Sequence, residues 1–237
     1  MTYQTYFQRV ATISPIKQQQ MANLYFEYYA GSDKAKFYQD LAAKDEVLFL
    51  EYDQQIVGFT TLQVYPFLQH IIIYSGDTIV APAHRQQQSI PTAWISRMGL
   101  LKQTYPTQQL YWFLLVKGYK TYKYLVVFAQ KFYPDWRNQQ PKLKALADQL
   151  AVAKFGNLYN IQTGIVECPS NYGYLKKPLT KLTPYEQQKV SAQFFIHKNP
   201  YYYQGHELVC LCELSETNIH HRLKPLFLNP QINYRDD

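Results

Sequence analysis

The sequence predicts an α/β (α+β) fold, a mixed central sheet flanked by helices. Residues 46–52 (EVLFLEY) and 55–65 (QIVGFTTLQVY) are two β-rich runs separated by the polar pair Asp53-Gln54, the signature of a hairpin. Residues 109–116 (QLYWFLLV) form a short, almost wholly apolar run, as expected of a strand buried on both faces. Around these runs lie segments with helical spacing, of which 142–155 (KLKALADQLAVAKF), stopped by Gly156, is the plainest.

In chain order, Ser14-Pro15 opens a helix expected over 15–29, whose apolar positions include MANLYFEYY, and Gly31-Ser32-Asp33 ends it. Ser32 or Asp33 caps a second short helix running to Leu41. After the hairpin, β-branched residues interrupted by Ser75-Gly76-Asp77 give a third strand over 74–80, stopped at Ala81-Pro82 because proline lacks a donor. A helix follows over 91–101, with Pro91 in its first turn and Ser89 as its cap. The apolar strand 109–116 comes next, broken by Lys117-Gly118, and then an amphipathic helix over 121–133 closed by Pro134. The polar joint 135–141 leads into the helix 142–155. Strands are expected at 161–166 and 207–214, with a helix from the Thr183-Pro-Tyr-Glu186 capping signature to about His197 between them. The tail from Asn229 is expected to fray. This order divides the chain into a core, 1–134, and a C-terminal extension, 135–237, that completes the same sheet and covers the functional site.

The composition narrows the function. Apolar residues are 47% and charged residues 17%, a globular balance. No apolar run approaches the roughly 18–20 residues of a membrane span. The opening MTYQTYFQRV has no apolar stretch after a basic start, so the expected compartment is the cytoplasm. Cys168, Cys210 and Cys212 are too few for a disulfide framework, and Cys210 and Cys212 share one face of a strand as small hydrophobes. His206, His220 and His221 match no zinc-ligand spacing, so no metal is expected. A net charge of +7 points to acidic partners or phosphate-bearing ligands. The 23 tyrosines come without an RNA-binding signature, which places nucleic acid behind a phosphate ligand.

One stretch carries a family resemblance. In DTIVAPAHRQQQSIP, residues 77–91, the positions Asp77, Ile79, Val80, Pro82 and Arg85, together with the hairpin before and the helix and apolar strand after, resemble the GNAT acyltransferases. The resemblance spans roughly half the chain. It implies a loop after the third strand that holds a pyrophosphate on the backbone N–H groups of a helix amino end. Arg85 and the backbone of Gln86, Gln87, Gln88, Ser89 and Ile90 would form that cradle, with Ile79 and Val80 aligning the pantetheine arm. Gln88 and Ile90 stand where the family has glycine or a small residue, and Pro91 removes a further N–H. The long-chain N-acyl amino acid synthases and acyl-homoserine-lactone synthases share the element order and often depart from the glycine pattern.

The chemistry implied is acyl transfer from acyl-CoA, or from an acidic acyl carrier protein, to a small-molecule amine. Such a reaction requires an acid for the departing thiolate and a base for the amine. Tyr119, Tyr122 and Tyr124 stand where the family places its acid, and Lys117 lies at the strand's carboxyl end, where α/β folds take ligands. Glu51 and Asp77 are the acidic candidates for the base, and His84 is a further base or anion contact. The alternative is a GNAT-like fold that binds or regulates without catalysis, which the absent glycines favour.

Overall fold

A computed structural model describes residues 2–236. The chain forms two compact units: residues 1–27, 34–110 and 214–237 make the first, and 28–33 with 111–213 the second.

The first unit contains β1 (Tyr3–Arg9), α1 (Pro15–Tyr28), α2 (Lys34–Ala42), β2 (Glu46–Tyr52), β3 (Gln55–Phe67), β4 (His70–Val80), α3 (Ser89–Thr104) and a short C-terminal helix, Lys224–Leu228. Strands β1 to β4 lie side by side, each antiparallel to the next. In β2, Val47 to Leu50 are all at most 1% exposed, so this strand is covered on both faces. The β2–β3 hairpin turns through Asp53 (φ 48) and Gln54 (φ 66), the left-handed pair that matches strand twist.

The expected interruption at 75–77 is a bulge inside one continuous strand. Thr60 pairs with Thr78 and Leu62 with Ser75, which leaves Thr61 opposite both Gly76 and Asp77. A Cβ on Gly76 would come within 2.4 Å of the Thr61 hydroxyl and 2.7 Å of the Lys44 side chain, so close approach requires glycine here.

Strand β1 went unread in the sequence, and the tail is not frayed. Phe7 N–H donates to the Asn233 carbonyl (2.8 Å) and Arg235 N–H to the Phe7 carbonyl (3.0 Å), forming a parallel bridge between Phe7 and Tyr234.

The second unit contains β5 (Gln109–Val116) from Tyr111 onward, α4 (Tyr119–Phe128), α5 (Pro141–Phe155), α6 (Val190–Lys198) and β6 (Glu207–Glu213). β6 is antiparallel to β5 and to the two-residue strand Ile165–Val166, which pairs with Tyr159–Asn160. The single strand expected over 161–166 is thus a small hairpin turning at Gly164 (φ 76). Helix α4 starts two residues earlier than expected and stops at Phe128. The chain then extends so that Tyr133 exchanges two backbone hydrogen bonds with Leu211 of β6 (2.8 and 2.9 Å). The helix expected from Thr183 is broken: Pro184–Gln187 carries the predicted capping box with Glu186, and α6 begins afresh at Val190. Cys210 and Cys212 are fully buried on β6, and Cys168 is buried with its thiol donating to Glu207 Oε2 at 3.7 Å.

Strands flanked by helices in each unit give the α+β class read from the sequence. No described helix is long and apolar enough to cross a membrane.

Candidate functional site

In the first unit the loop between β4 and α3 is built from the strand end outward. Ile79 is buried opposite Phe59, and Val80 pairs with Gly58. Ala81 N–H closes the strand end on the Val57 carbonyl (2.8 Å), and Pro82–His84 make one 3-10 turn. Arg85 Nε donates to the Val80 carbonyl (3.0 Å), folding the guanidinium back over the strand end. His84 Nδ1 shares a hydrogen bond with the Tyr3 hydroxyl (2.8 Å), and its ring packs against Tyr52. The histidine thus anchors the loop to β1 and β2.

Helix α3 begins at Ser89, so Ser89 is its first residue and not its cap. Gln88 is the N-cap, and its side chain makes no capping bond. The amino end therefore keeps its unpaired N–H character, apart from Pro91, which has none. The Ser89 hydroxyl is buried and finds no partner among the described residues. A cavity of about 720 Å³ opens here, lined by Gln87 and Gln88 on the loop, Ser89, Thr92 and Ser96 on α3, Thr5 on β1 and Asn233 on the tail, among others. Its volume lies within the range of small-molecule sites, roughly 300–1,000 Å³. None of its lining side chains is charged.

Glu51, on β2, is occupied. The Tyr6 hydroxyl donates to one carboxylate oxygen, Arg235 lies 3.4 Å from the other, and the guanidinium stacks on the Tyr6 ring at 4.1 Å. The sequence reading passed over a buried ion pair nearby: Arg97 on α3 donates to both oxygens of Glu46 (2.9 and 2.7 Å). The Tyr234 hydroxyl adds a third donor at 3.0 Å. Burial pushes this phenol up to about 12. The available signal was one arginine in the apolar stretch of the helix expected over 91–101. Its partner could not be read locally, since Glu46 is 51 positions away.

The remaining candidates lie in the second unit. Lys117 follows directly on β5, pairs with Glu207 at 3.3 Å and sits 5.7 Å from the Tyr29 ring centre. Tyr119 and Tyr122 face inward from the first turn of α4. The Tyr119 hydroxyl pairs with Ser191 Oγ (2.9 Å), whereas the fully buried Tyr122 hydroxyl donates to the Pro134 carbonyl (2.7 Å). Burial, aided by Cys210 and Asp135, pushes the Tyr122 phenol far above its usual value. No cluster of three metal-ligating side chains stands among the described residues.

No protein-family model and no curated protein matches the chain. Among solved structures it is similar to a conserved Enterococcus faecalis V583 protein designated a probable N-acyltransferase (12% identity, TM-score 0.42). It is also similar to Escherichia coli ElaA (13% identity, TM-score 0.38) and to a GNAT family acetyltransferase from Elizabethkingia anophelis with acetyl-CoA bound (17% identity, TM-score 0.35). Each match covers 56% of this chain; they cover 33%, 93% and 86% of the other chains in that order. The chain thus spans about a third of the Enterococcus protein's length.

Proposed function

We propose that this protein is an acyltransferase that moves an acyl group from acyl-CoA or an acyl carrier protein to a small amine. The observation that carries this reading is the amino end of α3. It is uncapped, it holds a buried unpaired hydroxyl at Ser89, and it opens on a cavity directly after the strand-end loop bearing Arg85. A helix amino end attracts phosphate through its N–H groups and dipole. Arg85 supplies the charge that the cavity wall lacks, and the backbone from Gln86 to Ile90 supplies donors. Ile79 and Val80 offer strand backbone to the pantetheine arm.

Of the tyrosines proposed as the acid, Tyr119 is the better placed chemically, because its partner is another hydroxyl that can exchange proton donor and acceptor roles. Tyr122 is committed to a main-chain carbonyl. For Glu51 to act as base, Arg235 must withdraw from it.

A second reading, a GNAT-like module without catalysis, is favoured by one specific observation: Tyr122 and Glu51 both hold structural partners.

Thiol release from acetyl-CoA and from a long-chain acyl-CoA, with a panel of amines, separates the two. The expected result is turnover that falls by about 100-fold or more in Tyr119→Phe, the scale of general acid catalysis, while the variant keeps its Tm within a few degrees. Absence of thiol release with every donor and amine supports the second reading.

A further inference from the structure

The net charge of this protein is not spread evenly. The first unit has eleven Lys and Arg against ten Asp and Glu, whereas the second has thirteen against seven. Within the second unit, α4 and residues 172–206 hold seven lysines (120, 123, 176, 177, 181, 189 and 198) and one acid, Glu186. That glutamate is engaged, accepting the Thr183 N–H in its capping box (2.9 Å). All seven lysines are exposed.

The same segment exposes Tyr172 (40%), Tyr185 (67%), Tyr201 (53%) and Tyr203 (49%). Local contacts bring these elements together. Helix α6 packs on α4, and Tyr202 donates to the Thr180 carbonyl (3.0 Å). Gly205 (φ 97) lies so close to Gly173 that a Cβ would come 2.9 Å from its carbonyl, which sets the Tyr172 turn beside the Tyr201–Tyr203 turn. Lys189 stands 4.0 Å from the Tyr185 ring centre. Lys189, with a smaller effect from Lys123, draws the Tyr185 phenol below its usual value.

We infer that this lysine and tyrosine surface binds single-stranded nucleic acid, with phosphates on the lysines and bases stacked on the exposed tyrosines. Stacking on tyrosine needs an unpaired base, which selects single strands over duplexes. Every cation here is a lysine, a point charge suited to phosphates without bidentate geometry. Protein interfaces are depleted in lysine, and beside the four tyrosines the described residues of the segment expose only two large aliphatic side chains, Val190 and Ile196. That balance favours a polyanion over an acidic protein.

The test is fluorescence anisotropy with labelled oligo(dT) and oligo(U) of roughly 12 nucleotides, a duplex of equal length, and polyglutamate as competitor. Expected are binding to one or both single strands, at least tenfold weaker binding to duplex, and loss of affinity as salt rises. Double substitution Tyr201→Ala/Tyr203→Ala is expected to weaken single-strand binding by about tenfold or more, while Tyr201→Phe/Tyr203→Phe, which keeps the rings, retains it. Because these side chains are exposed, unchanged circular dichroism separates lost binding from lost folding. The DNA and RNA arms identify which polymer is preferred. No binding at low salt, equal affinity for duplex, or affinity indifferent to both tyrosine pairs overturns the proposal. Displacement by polyglutamate at comparable charge concentration also overturns it and points to an acidic protein.

Discussion

Gln54 occupies the left-handed region at φ 66 in the β2–β3 turn, where a side chain costs about 1 kcal/mol that glycine avoids. Gln54→Gly is therefore expected to stabilise the protein by about 0.5–1 kcal/mol, read as a raised urea midpoint with unchanged m-value. A lowered midpoint contradicts the turn assignment. The Arg97–Glu46 pair carries a larger effect. Its members are mutually bidentate and only 10% and 11% exposed at the side chain, so removing one leaves the other buried without its counter-charge. Arg97→Leu is expected to cost about 3–5 kcal/mol. Glu46→Gln/Arg97→Leu together should recover part of it, since no net charge then stays buried; full additivity in the double-mutant cycle contradicts the coupling.

Helix α3 positions the candidate site and is also where the C-terminal segment is keyed in. Gly99 touches the carbonyl of Phe227 so closely that a Cβ would come to 1.9 Å. Gly99→Ala is expected to push the Lys224–Leu228 helix outward and destabilise by about 1–3 kcal/mol. Limited proteolysis should then cut first within the segment after Pro225, and cleavage elsewhere first contradicts this. Strands β2, β3 and β5 and helices α1 and α5 were legible because their apolar periodicity is local and strong. Strand β1 was not, because YQTYFQR buries Gln8 as well as Tyr6 and Phe7. That glutamine is paired with the Thr12 carbonyl (3.1 Å) and Lys17 (2.8 Å), partners that no pattern of apolar residues reveals. The tail was missed for a similar reason. Its order comes from backbone pairing with β1, more than 220 positions away, and from Tyr234 and Arg235 reaching Glu46 and Glu51. At the candidate site the helix and the loop were readable, but the pairing of Arg85 with the strand end and the partners of Glu51, Tyr119 and Tyr122 were not. Each depends on a residue brought from elsewhere in the fold.

At the scale of the molecule, tyrosine sets the alkaline limit of stability. Burial raises the phenols of Tyr65 and Tyr234 to about 12 and those of Tyr122, Tyr133 and Tyr159 higher still. A phenol whose folded value is raised contributes stability that is fully present below its unfolded value of 10 and is lost as pH rises through the folded value. Tm is therefore expected to hold up to about pH 10 and to fall steeply between about 10 and 12. Tyr234→Phe should soften that fall, and a Tm that is flat through this window contradicts the burial of these rings. Thermal denaturation with acetyl-CoA and a long-chain acyl-CoA, comparing the wild type with Arg85→Ala, decides whether the amino end of α3 holds a phosphate. At a ligand concentration of a hundred times Kd, stabilisation by about 2.7 kcal/mol, or roughly 5–10 °C in Tm, is expected, abolished or strongly reduced by the substitution. A shift of equal size in Arg85→Ala, or no shift with either thioester, contradicts a phosphate site at the amino end of α3.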